Sequence, residues 1–316
     1  MKVLRLFDAA AIARALPYLE LVDALAGAFA DGVRAPIRHH HEIPRSHPEP
    51  ATLLLMPAWR QDRDTGVKLV HVCPGNESRG LPVVQGLYVL FDGPTGTPRA
   101  VLDGTELTLR RTAAASALAC RHLARSDATT LLMIGAGALA FHLVRAHAAV
   151  RPVRQVLLWN RTLERARLLA ERLAAEGLAV EIVADRTAAL ARADIVSCAT
   201  LSREPLVLGR HLRPGTHVDL VGAFRPDMRE SDDELMRRAR VFVDTREGAL
   251  AEAGDILQAI ASGALRAEDL AGDLYDLCGG RVAGRGDPAE ITVFKSVGSA
   301  IEDLVAASLV LARAGP

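Results

Sequence analysis

One stretch of the 316-residue chain constrains the fold more than any other. An apolar run of strand type at 129–134 passes directly into Gly135-Ala-Gly-Ala-Leu-Ala140, and a helical pattern then continues to Val150. A strand, a glycine-rich turn and a helix in this order are the first unit of a dinucleotide-binding fold, whereas the glycine pattern without that context is a weak signal.

The spacing Gly135-x-Gly137-x-x-Ala140 assigns each small residue a task. Gly135 permits the tight turn, Gly137 lets the backbone approach a pyrophosphate, and Ala140 keeps the helix close to the strand. Ala138 and Leu139 open the helix, so their amides face the anion. We therefore expect these residues to contact a cofactor; the alternative is an ordinary structural turn.

The alternation of strands and helices continues to about residue 262. Strand-type runs lie at 129–134, 155–159, 178–183, 195–198, 217–221 and 241–244. Six strands separated mostly by helices predict an α/β fold, a Rossmann doubly wound parallel sheet with both faces covered.

The first 125 residues are different. Strand candidates lie at 53–56, 66–72, 87–91 and 99–102, and the turn 92–96 is typical of a hairpin. Antiparallel strands beside helices predict an α+β domain. We expect this domain to span 1–124, with a C-terminal helix within 294–316 completing it, and the Rossmann domain to span 125–293.

The end of the second Rossmann strand indicates which cofactor binds. NAD-binding folds place an acidic residue there for the ribose 2′-hydroxyl, about 20 residues after the glycines. This chain has Asn160, Arg161 and Thr162, followed by Arg165 one helical turn later. Guanidinium groups and a hydroxyl at a helix start attract a 2′-phosphate, so NADP(H) is favoured. The alternative is that both arginines are ordinary solvated helix residues.

Composition excludes several classes of protein. Lys and Arg together number 38, as do Asp and Glu, so the chain lacks the excess positive charge that nucleic acids or anionic membranes attract. The chain contains no run of 18 apolar residues, so no membrane span is predicted. Four widely spaced cysteines are typical of reduced thiols in a cytoplasmic protein. The run His39–His41 is not expected to bind a metal, because adjacent strand residues face opposite sides.

The first domain offers candidate anion-binding cations, namely Arg38, Arg45, Lys68 and Arg111. Lys68 lies in mid-strand between two apolar residues, which is unfavourable for a charge without a partner. Only three lysines occur in the chain, and a lysine retained among so many arginines is a weak indication of a site that suits a compact ammonium; the alternative is a high-GC coding bias. The alternative for each cation is a solvated surface position.

With these residues in place, the chain resembles the ornithine cyclodeaminase/mu-crystallin family over essentially its whole length. The resemblance rests on Pro36-Ile-Arg38, Leu55-Met-Pro57, Gly66-Val-Lys68-Leu-Val70, Arg111-Thr-Ala-Ala-Ala-Ser116, Gly135-Ala-Gly137, Trp159-Asn-Arg-Thr162, Val221-Gly-Ala-Phe-Arg-Pro-Asp227 and Thr292-Val-Phe-Lys-Ser-Val-Gly298. It implies a homodimer in which the first domain, 1–124 with the C-terminal helix, is the substrate-binding and dimerisation domain, with chemistry in a cleft between the two domains.

The resemblance also implies roles for single residues. Arg38, Lys68 and Arg111 would bind the carboxylate of a small amino or imino acid. Thr200 and Leu201 would line the cofactor, and Ala223, Phe224 and Ser296 would lie near the nicotinamide. Asn160-Arg161-Thr162 is similar to the NADP(H)-binding mu-crystallin branch.

Phe224 distinguishes two activities within that family. Ornithine cyclodeaminases carry an aspartate at the matching place as an acid/base, and phenylalanine has no titratable group. The resemblance therefore implies NADPH-dependent reduction of a cyclic ketimine carboxylate, Δ1-pyrroline-2-carboxylate or Δ1-piperideine-2-carboxylate. The proton donor is open between solvent and Asp276. The alternatives are an ornithine cyclodeaminase or related amino-acid dehydrogenase, and a non-catalytic binder of NADPH and a small carboxylate.

Overall fold

The computed structural model describes residues 4–33, 35–46 and 49–315, and the chain divides into two compact units. The first unit comprises the chain up to Thr112 and the segment from Ser299 onward. Its six-stranded sheet contains β1 (Arg5–Phe7), β2 (His39–Ile43), β3 (Ala51–Arg60), β4 (Asp64–Val72), β5 (Val84–Asp92) and β6 (Pro98–Asp103). The strand order is β1-β6-β5-β4-β3-β2. Among the described strands of this first sheet, the β1–β6 pairing is parallel and the other pairings are antiparallel.

Helices of this unit are α1 (Ala9–Ala15), α2 (Tyr18–Ala30), the first half of α3 (Gly104–Leu123) and the C-terminal helix (Ala300–Arg313). Asp8 caps α1 by accepting a hydrogen bond from the amide of Ala11, as its position in the sequence predicts. The C-terminal helix packs on α2, β3 and β4. Residues from the far end of the chain therefore lie against the sheet that carries Lys68.

The second unit, Ala113–Gly298, contains an eight-stranded sheet. Its strands are β7 (Thr130–Ile134), β8 (Gln155–Trp159), β9 (Ala179–Ile182), β10 (Ile195–Cys198), β11 (His217–Leu220), β12 (Ala239–Val243), β13 (Gly272–Asp273) and β14 (Ile291–Lys295). The order is β13-β12-β14-β11-β10-β7-β8-β9, and every pairing among the described strands is parallel. Parallel strands buried on both faces explain the continuous Leu, Ile and Val runs that mark this region in the sequence.

Helices separate these strands and cover the sheet. They are α4 (Ala138–Val150), α5 (Leu163–Ala175), α6 (Arg186–Leu190), α7 (Asp233–Arg238), α8 (Arg246–Glu252), α9 (Gly254–Ala261) and α10 (Leu274–Cys278). The C-terminal helix is α11. The predicted α/β class with a doubly wound parallel sheet beside an α+β region is confirmed.

The prediction of six strands was wrong, because the sheet also contains β13 and β14. β14 lies between β11 and β12, so the fifth and sixth expected strands are not neighbours. A predicted boundary at 293/294 would cut through β14, and the compact units instead divide at Gly298/Ser299. The other predicted boundary, at 124/125, differs from the observed Thr112/Ala113 because α3 continues from one unit into the other.

Within the described residues, no helix is both long enough and apolar enough to cross a membrane.

Candidate functional site

Lys68 is fully enclosed within the first unit. It lies at the middle of β4, opposite Met56 on β3 and Tyr88 on β5, and only 2% of its surface is exposed. Neighbouring β4 residues alternate between the two faces, so the pattern that places Val70 in the core also places the lysine there. A buried ammonium requires an opposite charge, and the C-terminal helix supplies it.

Four buried side chains form what we call the ion cluster: Lys68, Arg111, Glu302 and Asp303. Lys68 Nζ lies 2.8 Å from Oδ2 and 3.0 Å from Oδ1 of Asp303. Arg111 donates from Nε to the same Oδ1 at 3.1 Å and from Nη1 to Oε2 of Glu302 at 2.6 Å. The structure thus brings together two of the cations that the sequence predicts to hold a carboxylate.

Burial changes the acidity of the ammonium in this cluster. Burial and the neighbouring Arg111 lower the pKa of Lys68 to about 8, although Asp303 acts in the opposite direction. The positive charge of Arg38 also lowers this pKa. A lysine with this pKa is largely charged at neutral pH and loses its charge a little above it.

The two carboxylates of the ion cluster were missed by the reasoning from sequence. Their signal was present, since Ser299-x-x-Glu302 is a capping box and both of its reciprocal hydrogen bonds form. Two adjacent acids within the apolar α11 are also unexpected in a buried helix unless cations face them.

The glycine turn in the second unit has the predicted geometry. Gly135 has a φ of +109°, and a Cβ there would lie 2.7 Å from the carbonyl oxygen of Ala199, so only glycine fits. A Cβ on Gly137 would meet nothing within 4 Å. Gly137 is the N-cap of α4 and no described side chain caps this helix, so the amides of Ala138 and Leu139 begin a helix whose positive end is open.

Asn160 has a structural role at the end of β8. Its Oδ1 accepts a hydrogen bond from the amide of Ala136 at 3.1 Å, and its Nδ2 donates to the carbonyl of Thr162 at 2.8 Å. Asn160 therefore braces the glycine turn against the start of α5. Both hydrogen bonds of the Asn160 side chain are thus made to the backbone of the protein.

Arg161, Thr162 and Arg165, which the sequence also predicts to contact the cofactor, are exposed to solvent. Within the ranges 4–33, 35–46 and 49–315, neither Arg161 nor Arg165 has an ion-pair or hydrogen-bond partner for its side chain, and Thr162 caps α5 without a side-chain hydrogen bond. Two unpaired guanidinium groups, a hydroxyl and a bare helix N-terminus thus lie within one turn of α5. Together they form a site for an anion such as a phosphate.

Thr200 follows β10 and is hydrogen-bonded to the buried acid Glu230. Glu230 Oε1 accepts from the amide of Thr200 at 2.7 Å and from its hydroxyl at 2.8 Å. Burial raises the pKa of Glu230 to about 7, opposed by Lys295 and reinforced by Asp255. Glu230 thereby fixes the loop in which Thr200 and Leu201 are expected to line the cofactor.

The loop after β11 is held by the same group of residues. Lys295 donates to the carbonyl of Gly222 and lies 3.3 Å from Oδ2 of Asp255. Lys295, Asp255 and Glu230 are all fully buried. Ala223 has a φ of +47°, which is uncommon for a residue with a Cβ. Such strain persists only where the surroundings enforce it and is frequent at functional sites.

Phe224, Leu201 and Ser296 lie in the segments that follow three strands of the second sheet, β11, β10 and β14. Phe224 is 43% exposed and Leu201 is 70% exposed, although both are apolar. Ser296 follows β14; it is buried, and its hydroxyl has no hydrogen-bond partner among the described residues. β10, β11 and β14 are adjacent parallel strands, so all three residues lie at the carboxyl edge of one sheet, where α/β proteins bind ligands.

Three candidates from the sequence have other environments. Arg45 donates to the backbone carbonyls of Glu49 and Pro74, which indicates a role in bracing loops. His39–His41 form the exposed edge strand β2, and the described residues contain no group of three or more His, Cys, Asp or Glu that could hold a metal ion. Asp276 completes a capping box at α10 and pairs with Arg281 at 3.0 Å.

These features define a class of protein. A parallel-sheet unit that presents a glycine turn and two bare helix N-termini is typical of a dinucleotide-binding unit, and the α+β unit contains the buried ion cluster. The chain belongs to the ornithine cyclodeaminase/mu-crystallin family, whose model matches residues 7–315.

Two relatives illustrate the family. A Delta(1)-pyrroline-2-carboxylate reductase of Paracoccus denitrificans is 44% identical over 290 residues, covering 89% of this chain and 91% of the relative. The ketimine reductase mu-crystallin of Rattus norvegicus is 37% identical over 260 residues, covering 81% of this chain and 78% of the relative. The predicted family and its mu-crystallin branch are confirmed.

Two solved structures share the fold over nearly the whole chain. The Thermococcus litoralis Delta(1)-pyrroline-2-carboxylate reductase in complex with NADH and L-proline has a TM-score of 0.92 at 33% identity, covering 98% of this chain and 97% of that one. An archaeal alanine dehydrogenase dimer with bound NAD has a TM-score of 0.90 at 29% identity, covering 98% and 96%.

Proposed function

We propose that this protein is an oxidoreductase that reduces a cyclic ketimine carboxylate, Δ1-pyrroline-2-carboxylate or Δ1-piperideine-2-carboxylate, to the cyclic amino acid. The similarity to the Paracoccus reductase carries the proposal, because it spans 91% of that enzyme and includes residues of both units. Phe224 supports reduction over ornithine cyclisation, since it has no group that exchanges protons with an amine.

The cofactor in this proposal is NADPH. Similar structures contain NADH or NAD, which supports a nicotinamide dinucleotide. The open Cβ position of Gly137, the bare start of α4 and the unpartnered hydroxyl of Ser296 fit such a group. The unpaired Arg161 and Arg165 beside Thr162 support a 2′-phosphate. Asn160, rather than an acid, directly follows β8, and Glu164 in the first turn of α5 is paired with Arg167.

The chain's own residues bind and orient the substrate. When bound, the nicotinamide supplies a hydride. Lys68 and Arg111, with Arg38, hold the carboxylate by charge-assisted hydrogen bonds and thereby fix the ring orientation. A cyclic imine that binds in its protonated form is already electrophilic at the carbon next to the carboxylate, so positioning and electrostatics are sufficient and Phe224 need only offer an apolar wall.

A substrate screen tests the function. Purified protein is assayed with NADPH and NADH against five- and six-membered cyclic imino acids, with ornithine and alanine alongside. We expect imine reduction to be fastest with NADPH. Proline formation from ornithine with NAD at comparable rates would instead favour the cyclodeaminase. Binding of NADPH without any turnover would favour a non-catalytic binder.

We further propose a homodimer formed by the outer face of the first sheet. Alternate residues of β3, β4 and β5 place an apolar surface on the side opposite the core: Leu53, Leu55, Pro57, Val67, Leu69, Leu87 and Val89. Leu69 pairs with Leu55 and with Leu87 across the strands, so the surface is continuous. An apolar face of this kind suits an isologous partner, and a related structure is a dimer.

Leu87→Glu tests the dimer. Leu87 is 50% exposed within one chain, so an acid there disturbs the chain little but buries a charge in a dimer. Light scattering should change from about twice the 33.7 kDa chain mass to one chain mass. Leu168→Glu, at a 54% exposed position on α5, is the matched control and should remain dimeric. A wild-type protein that is monomeric at micromolar concentration contradicts the proposal.

The proposed location is the cytoplasm. All four cysteines are free, namely Cys73, Cys120, Cys198 and Cys278. Free and partly buried thiols suit a reducing compartment.

A further inference from the structure

One oxygen atom of Asp303 accepts hydrogen bonds from both of the cations that are proposed to bind the substrate, Lys68 and Arg111. Its Oδ1 accepts from Lys68 Nζ at 3.0 Å and from Arg111 Nε at 3.1 Å, and its side chain is fully buried. Glu302 accepts from Nη1 of the Arg111 guanidinium, a different nitrogen from the one that Asp303 contacts. Asp303 therefore contacts both cations directly, and it raises the pKa of Lys68.

The location of Asp303 makes this contact rigid. It lies in the first turn of α11, which begins with the Ser299–Glu302 capping box and packs on β3 and β4. Lys68 extends from β4 and Arg111 from α3. Three separate elements therefore meet at one carboxylate, and neither long cationic side chain can change rotamer without breaking a buried ion pair.

The charges of the cluster also indicate what it binds. The two cations and two acids of the ion cluster balance, and the nearby half-buried Arg38 adds one positive charge in excess. A ligand with a single carboxylate neutralises that excess, whereas a dicarboxylate would leave a buried negative charge.

We propose that Asp303 is a positioning residue for the substrate carboxylate: it holds Lys68 in its charged form and aligns Lys68 with Arg111. The inference rests on the proposed function, in which these two cations bind the substrate. It adds that the binding site depends on an acid at the far end of the chain.

Charged and titratable groups face Lys68 from several elements, whereas β3 places the uncharged Met56 opposite it. Arg111 approaches from α3, Asp303 from α11 and Arg38 from the segment before β2. Tyr88 on β5 lies opposite Lys68 in register, and burial raises the pKa of its hydroxyl, so it stays neutral. Asp303 is the group that raises the pKa of Lys68, so its removal must move the loss of charge to lower pH.

Asp303→Asn in the full-length protein tests this charge effect. We measure kcat/KM for the ketimine against pH and compare the alkaline limb with that of wild type. The limb should move to lower pH by about one unit or more, because the nearest carboxylate is gone. An unchanged limb in a folded Asp303→Asn protein overturns the proposal. A purely structural role would lower activity at every pH without moving the limb.

Asp303→Glu tests the geometry and does not depend on the Asn variant folding. It keeps the charge but displaces the carboxylate by one methylene. The limb should stay in place while kcat/KM falls about tenfold, because the cations are misaligned. Wild-type kcat/KM in Asp303→Glu also overturns the proposal. Glu302→Gln is the matched control, and it should lower kcat/KM without moving the limb.

Calorimetric titration with L-proline separates this inference from the proposed function. If wild type reduces no imine and binds no L-proline, the proposed function fails and the role of Asp303 fails with it. If wild type is active and both Asp303 variants match it in pH profile and kcat/KM, only the inference about Asp303 fails.

Discussion

Cations serve in two contrasting ways in the two units of this molecule. In the first unit, Lys68 and Arg111 are buried and already paired with carboxylates. In the second, Arg161 and Arg165 are exposed and have no partner among the described residues. The first pair is part of the packed interior, and the second projects from the start of a helix that folds without it.

The difference predicts how each site responds to mutation. A buried ion pair that loses one member leaves an uncompensated charge, so changes in the first unit affect both ligand binding and stability. Exposed cations without partners contribute little to stability. Changes at the start of α5 should therefore alter cofactor selection and leave the fold unaffected.

Lys68→Met should give the largest effect. It removes a charged hydrogen-bond donor to the substrate, and kcat/KM for the ketimine should fall about a hundredfold or more. The dissociation constant of NADPH should change less than about twofold, because the cofactor residues lie in the other unit. Steady-state kinetics and fluorescence titration measure the two quantities. Loss of both functions together would remove the distinction between the two regions.

Arg161→Ala should have the next largest effect. The lost charge-assisted contact is worth about 1.5–3 kcal/mol, so the dissociation constant of NADPH should rise about tenfold to a hundredfold. That of NADH should hardly change, and thermal unfolding should be the same as in wild type. Arg167→Ala is the control, because Arg167 is exposed on the same helix but pairs with Glu164. Equal weakening of both cofactors would rule out a 2′-phosphate contact.

The pH dependence of turnover should separate the regions further. Lys68 has a lowered pKa of about 8, so it is charged below that pH and progressively neutral above it. kcat/KM for the ketimine should therefore fall by up to tenfold per pH unit above pH 8, while NADPH binding, which uses arginines, should not follow this limb. In Lys68→Arg the limb should disappear. Its persistence there would assign it to another group.

The smallest effects are expected at the two glycines of the turn. Gly135→Ala forces a Cβ into the left-handed region and against Ala199, and should destabilise the protein by roughly 1–3 kcal/mol. Gly137→Ala meets no atom and should leave the unfolding temperature nearly unchanged. It should nevertheless weaken NADPH binding severalfold, because its methyl group occupies the space of the pyrophosphate. Differential scanning fluorimetry with and without NADPH distinguishes the two.

Patterns that are local in the chain were predictable. The glycine turn, the strands β7–β12 and the cap at Asp8 follow from periodicity and from short-range hydrogen bonding. β14 was missed as a strand because it joins the sheet between β11 and β12, and no local pattern encodes that insertion. The cofactor contact of Asn160 stays a prediction, but its hydrogen bond to the amide of Ala136 depends on the proximity of β7 and β8, which lie apart in the sequence.

The sequence by itself determined the class of each region, because side-chain period and glycine placement are properties of neighbouring residues. It also indicated the unusual lysines: both described lysines, Lys68 and Lys295, are buried in ion pairs, and Lys2 lies outside the described residues. Only the tertiary structure decided which acids face them. Asp303 is 235 residues from Lys68, and a charge buried on one element is stabilised by whichever partner the packing brings within about 4 Å.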